Sequence, residues 1–114
     1  MFKVLISDKL GADGVDVLEA ADDVSVDVRT GLSEAELIDI IADYDALLIR
    51  SGTQVTDAVL DAATRLKVVG RAGVGTDNVD VDAATRRGVI VMNTPGANTI
   101  ATAELTFSLL LASA

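Results

Sequence analysis

The sequence predicts an α/β protein built on a doubly wound parallel sheet, and three observations carry that reading. Five short apolar runs, at Phe2–Ser7, Val24–Val28, Asp45–Ile49, Leu66–Gly70 and Val89–Met92, alternate with helical patterns, as βαβ crossovers require. Three of the runs (KVLIS, ALLI and VIVM) are apolar almost without interruption, which suits strands covered on both faces. The run Val24-Ser-Val-Asp-Val28 alternates instead, as a half-exposed edge strand should. With 114 residues there is room for one domain of ordinary size, large enough to bury a core.

Taken in order, the first helix spans about Asp13 to Ala21 and turns Val15 and Leu18 inward. The second is the best marked. Ser33 is its N-cap, Glu36 completes a capping box, and Leu32 and Leu37 form a hydrophobic staple ahead of Ile38, Ile40 and Ile41. Thr56 caps the third helix, with Val55 and Leu60 in the staple positions. The fourth is short, about Val81 to Arg87, and stops at Gly88; Arg86 and Arg87 lie in its last turn, where the helix dipole favours cations. Five parallel strands with helices on both faces give a flavodoxin-like, three-layer α/β/α sheet of order 2-1-3-4-5.

The last segment, Asn98 to Ala114, is apolar around most of its circumference through Ile100, Ala103, Leu105, Phe107, Leu109, Leu110 and Leu111. Such a helix belongs inside something. It either folds back on its own sheet or exchanges between two chains as a swapped homodimer, with Pro95-Gly-Ala-Asn98 as the hinge.

Composition excludes several function classes. A formal charge of -9 repels nucleic acid and acidic membranes. The absence of cysteine and histidine removes thiol chemistry, the usual general acid/base and the commonest metal ligands. Only Phe2, Tyr44 and Phe107 are aromatic, too few for a flavin sandwich or a base-stacking surface. No signal peptide or membrane-length span is present, so a cytoplasmic location is expected. No catalytic or metal-binding role is assigned within the chain.

In an open α/β sheet, ligands collect beyond the carboxyl ends of the strands. The residues just past the runs are Ser7 and Asp8; Arg50, Ser51, Gly52 and Thr53; Arg71 to Asn78; and Asn93 to Gly96. Arg50 and Arg71 make a positive island in an acidic chain, and Gly73-Val74-Gly75 lets backbone amides approach an anion. The alternative is that each arginine pairs with a neighbouring acid and that the glycines only make a tight turn.

Gly70-Arg-Ala-Gly73-Val-Gly75 is not a dinucleotide fingerprint. Asn78 stands where the third glycine should be, and no acidic residue ends a following strand. A phosphoacceptor site fails too, because the strand ends offer Asp8, Arg50 and Asn93 rather than an acidic cluster, an aspartate and a lysine. Ser7-Asp-Lys-Leu-Gly11 does not supply a flavodoxin phosphate loop.

Lys3-Val-Leu-Ile-Ser7, Leu48-Ile-Arg50-Ser51, Lys67-Val-Val-Gly-Arg71-Ala-Gly-Val-Gly75-Thr-Asp-Asn78-Val-Asp80 and Val91-Met-Asn-Thr-Pro95-Gly-Ala-Asn98 together resemble the D-isomer-specific 2-hydroxyacid dehydrogenase family, in its branch acting on 3-phosphoglycerate. Ala101-Thr-Ala-Glu104-Leu resembles the start of that family's crossover helix. The resemblance implies a substrate domain that closes on an NAD-binding Rossmann domain, in the first committed step of serine synthesis. It implies that Arg50 and Arg71 bind the phosphate or carboxylate of a 3-phosphoglycerate-like substrate, with Ser51 and Gly52 in the adjoining loop. Gly73, Val74 and Gly75 match the loop across the cleft, Val74 on its cofactor side, and Asn98 and Thr99 match the hinge.

The family's catalytic Arg–Glu–His set and its glycine fingerprint match nothing here. The expectation is a substrate-side fragment covering 1–114, with 98–114 as the crossover helix. It would lack a nucleotide-binding domain, bind no NAD alone, hold anions weakly and be catalytically incomplete. A free-standing binding module of the same fold is the other reading.

Overall fold

A computed structural model describes residues 2–9, 12–73, 77–94 and 99–112. The strands are β1 (Phe2–Ile6), β2 (Val24–Val28), β3 (Ala46–Ile49), β4 (Val68–Ala72) and β5 (Ile90–Thr94). The helices are α1 (Ala12–Glu19), α2 (Glu34–Ile41), α3 (Asp57–Ala62), α4 (Val81–Arg86) and α5 (Thr99–Ala112). All neighbouring strands pair in parallel in the order β2-β1-β3-β4-β5, the order expected from the sequence.

Successive side chains of a strand point to opposite faces, so the central strands feed two cores. Leu5, Leu47, Ile49 and Val69 face α2, α3 and α4, meeting Leu37, Ile41, Val59, Leu60, Ala83 and Ala84. Val4, Ile6, Ala46, Leu48 and Val68 face the other way, meeting Leu18 of α1 and Ala103 and Leu110 of α5. This double burial is why β3 reads as an unbroken apolar run.

The caps fall where the sequence puts them. Ser33 Oγ accepts from the Glu36 amide at 3.2 Å while Glu36 accepts from the Ser33 amide at 3.0 Å. Hydrogen bonding to the Ser33 backbone amide, and then to the Ser33 side chain, holds the Glu36 carboxyl below its usual value. Thr56 Oγ1 accepts from the Val59 amide, and Asp80 caps α4 by accepting from the Ala83 amide. Gly88, just past α4, has φ +73, which favours glycine there. Arg87 and Arg86 are structural, but chiefly as ion-pair partners. Arg87 meets Asp57 at 2.9 Å and Asp61 at 3.6 Å, and Arg86 meets Asp57 at 3.5 Å, tying α4 to α3.

Three elements differ most from expectation at their ends. α1 starts and ends earlier, because the chain turns at Ala20 and Ala21, whose amides bond back to Asp16 and Leu18. β4 runs to Ala72 instead of stopping at Gly70, and β5 runs to Thr94 instead of Met92. Backbone groups make the ladder, so pairing continues through Arg71↔Asn93 and Ala72↔Thr94 although the apolar pattern has ended. Leu66 and Val89, expected in strands, bond back to Ala63 and Ala84 and close the preceding helices.

α5 packs on its own chain's sheet, beside α1. The face it buries is small and hydroxylated: Thr102, Ala103 and Thr106, with Leu110. It approaches β4 at Gly70, where an added Cβ would lie 2.8 Å from Leu48 Cδ2 and 3.1 Å from both Thr102 Cγ2 and Thr106 Oγ1. The hydroxyls are satisfied, Thr102 by Thr94 at 2.6 Å and Thr106 by the Thr102 carbonyl at 2.7 Å. Ile100, Leu105 and Leu111 are 39%, 48% and 51% exposed, so much of the apolar circumference faces outward rather than into the sheet. The proposed hinge, Pro95 to Asn98, lies outside the described residues.

At the β2 edge, Tyr44 is buried and donates its hydroxyl to Asp27 Oδ2 at 2.6 Å. Burial, then the Asp27 hydrogen bond and charge, push this phenol from 10.0 up to about 12. The folded state therefore holds the proton more tightly than the unfolded chain. The resulting stabilisation is complete below about pH 10 and is lost as pH rises towards 12. We expect a loss of roughly 2–3 kcal/mol over that interval, absent in Tyr44→Phe. Tyr44 is the sole tyrosine and there is no tryptophan, so phenolate absorbance reports it alone. A midpoint near the free value of about 10 in the folded protein would contradict the buried pairing.

Candidate functional site

The carboxyl ends of β1, β3 and β4 meet in a hydrogen-bonded cluster of polar side chains. Ser7 and Asp8 follow β1. Ser7 Oγ lies 2.7 Å from Thr53 Oγ1, both residues being buried. Asp8 organises the loop after β3: its Oδ2 accepts from the Arg50 amide at 2.7 Å and the Thr53 amide at 2.9 Å, and its Oδ1 from Thr53 Oγ1 at 2.8 Å. Glycine stands at position 52 because a Cβ there would come within 2.7 Å of Asp8 Oδ1. Arg50, Ser51 and Gly52 are exposed on this loop.

Arg71 is a strand residue, paired opposite Ile49, which places it beside the start of the Arg50 loop. It is partly buried, and its Nε donates to Asn78 Oδ1 at 2.7 Å. The same Asn78 amide donates to the Arg50 carbonyl at 2.7 Å and the Thr53 carbonyl at 2.6 Å. Asn78 itself is held by backbone bonds, its carbonyl accepting from the Val55 amide while the Asp80 amide donates to Val55 O, both at 2.8 Å. Gly73 has φ +137 and donates its amide to Thr94 O at 2.9 Å, so the turn after β4 needs glycine at this position. Asn93 reaches back to the Gly73 carbonyl at 3.4 Å.

The expected site residues thus divide. Arg50, Ser51, Gly52, Arg71 and Gly73 come together at adjacent strand ends. Val74, Gly75 and Asn98 lie outside the described residues, and Thr99 opens α5. Arg50 makes no ion pair with an acid among the described residues, and Arg71 donates its Nε–H to the neutral Asn78 amide. An arginine beside a glycine turn, with a second arginine on the adjoining strand-end loop, is the chemistry that recognises a carboxylate or phosphate.

A neighbouring cavity of about 370 Å³, lined by residues including Leu32, Glu34, Leu37 and Thr56, contains no cation and carries the Glu34 carboxylate, so it is no second anion site. Among the described residues no cluster of three acids is placed to hold a metal ion, and no helix is long and apolar enough to cross a membrane.

Sequence reasoning names Asp8 and Asn78 among the strand-end residues but gives neither of them the organising role that the structure shows. Their contacts span 42 and 28 positions along the chain, and no local pattern announces them.

The chain matches the D-isomer specific 2-hydroxyacid dehydrogenase catalytic domain over residues 4–111. It is 52% identical to a D-3-phosphoglycerate dehydrogenase of Synechocystis over 112 residues, 98% of this chain and 20% of the relative. It is 51% identical to the enzyme of the same name from Methanocaldococcus jannaschii, over 100% of this chain and 21% of that one. The fold superposes on the NAD+-bound 3-phosphoglycerate dehydrogenase of Entamoeba histolytica with a TM-score of 0.76 at 28% identity, covering 96% of this chain and 38% of that structure. The chain therefore spans about a fifth of the length of the relatives it matches.

Proposed function

The chain belongs to the D-isomer-specific 2-hydroxyacid dehydrogenase family, and from that premise we propose that it is the substrate-side half of an NAD-dependent D-3-phosphoglycerate dehydrogenase of serine biosynthesis. The observation that carries the proposal is the placing of Arg71 opposite Ile49, next to Arg50 at the end of the adjacent strand, in a chain whose net charge is -9. In this reading their guanidinium forks hold the substrate's phosphate or carboxylate, Ser51 and Gly52 line the approach, and the Gly73–Gly75 turn brings backbone close to the same group.

The residues present do not fit a bound dinucleotide. The glycine series breaks at Asn78, and that side chain is committed to three hydrogen bonds inside the protein. No step is therefore assigned to NAD on these residues. They bind and orient an anion, and Val74 together with the hinge at Asn98 and Thr99 would meet the nucleotide-binding part of the enzyme. With no histidine in the chain, the proton transfer that accompanies oxidation has no residue of the usual kind to carry it.

The 114 residues alone offer one wall of a cleft, so affinity for 3-phosphoglycerate should be in the millimolar range, about -4 kcal/mol. An amide NMR titration is expected to shift residues 50–53 and 71–73 without any NADH forming when NAD is added. Arg71→Ala should weaken binding at least tenfold. Equal shifts in that variant would put the anion elsewhere and defeat the proposal.

A further inference from the structure

We infer that Asn78 is a positioning residue that sets the two arginines at a fixed separation; the inference rests on the reading of Arg50 and Arg71 as the anion site. Asn78 is 7% exposed and uses its whole amide. Both Nδ2 hydrogens go to carbonyls of the Arg50 loop, at residues 50 and 53, and Oδ1 takes the Nε hydrogen of Arg71. One planar group thus joins a loop 25–28 residues before it to a strand residue seven before it.

Only a neutral carboxamide offers two donors and an acceptor in that geometry. Aspartate would set a carboxylate against two carbonyl oxygens and would compete with the incoming anion for Arg71. Leucine or alanine would leave buried carbonyls without donors.

The consequence for recognition follows from the shape of guanidinium. It is planar, and an Nε–H held by Asn78 restrains rotation of the plane, so the direction of its outer nitrogens is set before any anion arrives. The Arg50 backbone is fixed from two sides, its amide by Asp8 and its carbonyl by Asn78. Preorganisation of this kind lowers the ordering cost of binding.

The test is a double-mutant cycle on the 114-residue chain, with 3-phosphoglycerate as probe and NMR as readout. Asn78→Ala is expected to weaken binding about tenfold and to speed solvent exchange of the Arg71 Nε–H, while the amides of β1 and β3 stay protected. In the Arg71→Ala background the same change should add clearly less than tenfold, because the restraint on Arg71 is already gone and only the hold on the Arg50 loop is left to lose. Unchanged affinity in Asn78→Ala, or full additivity with Arg71→Ala, would overturn the inference.

Arg71→Lys gives an independent reading should Asn78→Ala fail to fold. Lysine keeps the charge but has no Nε–H, so binding should fall nearly as far as in Arg71→Ala. A lysine variant that binds like the wild type would show that charge alone suffices and that no positioning is needed. Failure of the underlying anion-site reading looks different: the wild-type chain itself would show no shifts at residues 50–53 and 71–73, and the inference would fall with it.

Discussion

Gly70→Val is expected to destabilise the protein by about 3 kcal/mol, a large part of the roughly 5–15 kcal/mol typical of a domain. Valine is the better strand former, so propensity alone predicts a gain. Packing decides the other way. The first added carbon already falls 2.8 Å from Leu48 Cδ2 and 3.1 Å from two threonine side chains of α5, and valine adds two methyls beyond it. Leu48 is a side chain that could rotate, but it is fully buried, as are Thr102 and Thr106, so relief requires α5 to lift from β4. Urea denaturation should show the loss in the midpoint. Hydrogen exchange should locate it, with the amides of Phe107 to Leu111 losing protection well before those of β3. A variant with unchanged midpoint and a protected α5 would mean that the helix does not sit this close to the strand.

Asp8→Ala should cost about 2–3 kcal/mol. One carboxylate accepts three hydrogen bonds, and bonds to charged groups contribute about 1.5–3 kcal/mol each. The sum is not reached, because Asp8 is only partly buried and water replaces some of what is lost. The damage should be local, with the amides of Arg50 and Thr53 exchanging freely while α3, capped by its own Thr56, keeps its protection. Asp8→Asn should recover part of the stability, since an amide oxygen in the place of Oδ2 can still accept from both backbone amides, without the charge. If alanine were neutral, the loop would owe its shape to Asn78 and the Ser7–Thr53 contact alone.

Much of the fold was legible because its determinants are local. The strand runs of β1 and β3 announce double burial, Ser33 and Glu36 announce a helix start, and Gly88 announces a stop. The equally apolar run of β5 misleads: it is an edge strand, with Ile90 49% exposed, because an edge position leaves part of its surface uncovered. The positions of Arg50 and Arg71 at adjacent strand ends followed once the strand order was known. Strand ends were not legible to the residue. Hydrophobicity marks what is buried, whereas pairing is a backbone property that carries β4 through Arg71 and β5 through Thr94.

The last helix shows the limit most plainly. Its composition says that much of it wants burial, yet composition cannot say which face meets the sheet. Read as an apolar cylinder, it should press Leu105 and Leu111 inward. In the structure Gly70 leaves a shallow place on β4 that only small side chains can approach, and Thr102, Ala103 and Thr106 take it.

By itself, then, the sequence determined the element order, the caps, the acidic balance and the pair of arginines, all of which depend on neighbours within a few positions. Tertiary structure alone decided that Asp8 and Asn78 hold the Arg50 loop and that a threonine face of α5 meets Gly70. The physical reason is the same in both cases: a hydrogen bond or a close contact between residues 28–45 positions apart depends on where the sheet brings their backbones, and side-chain chemistry does not encode that distance.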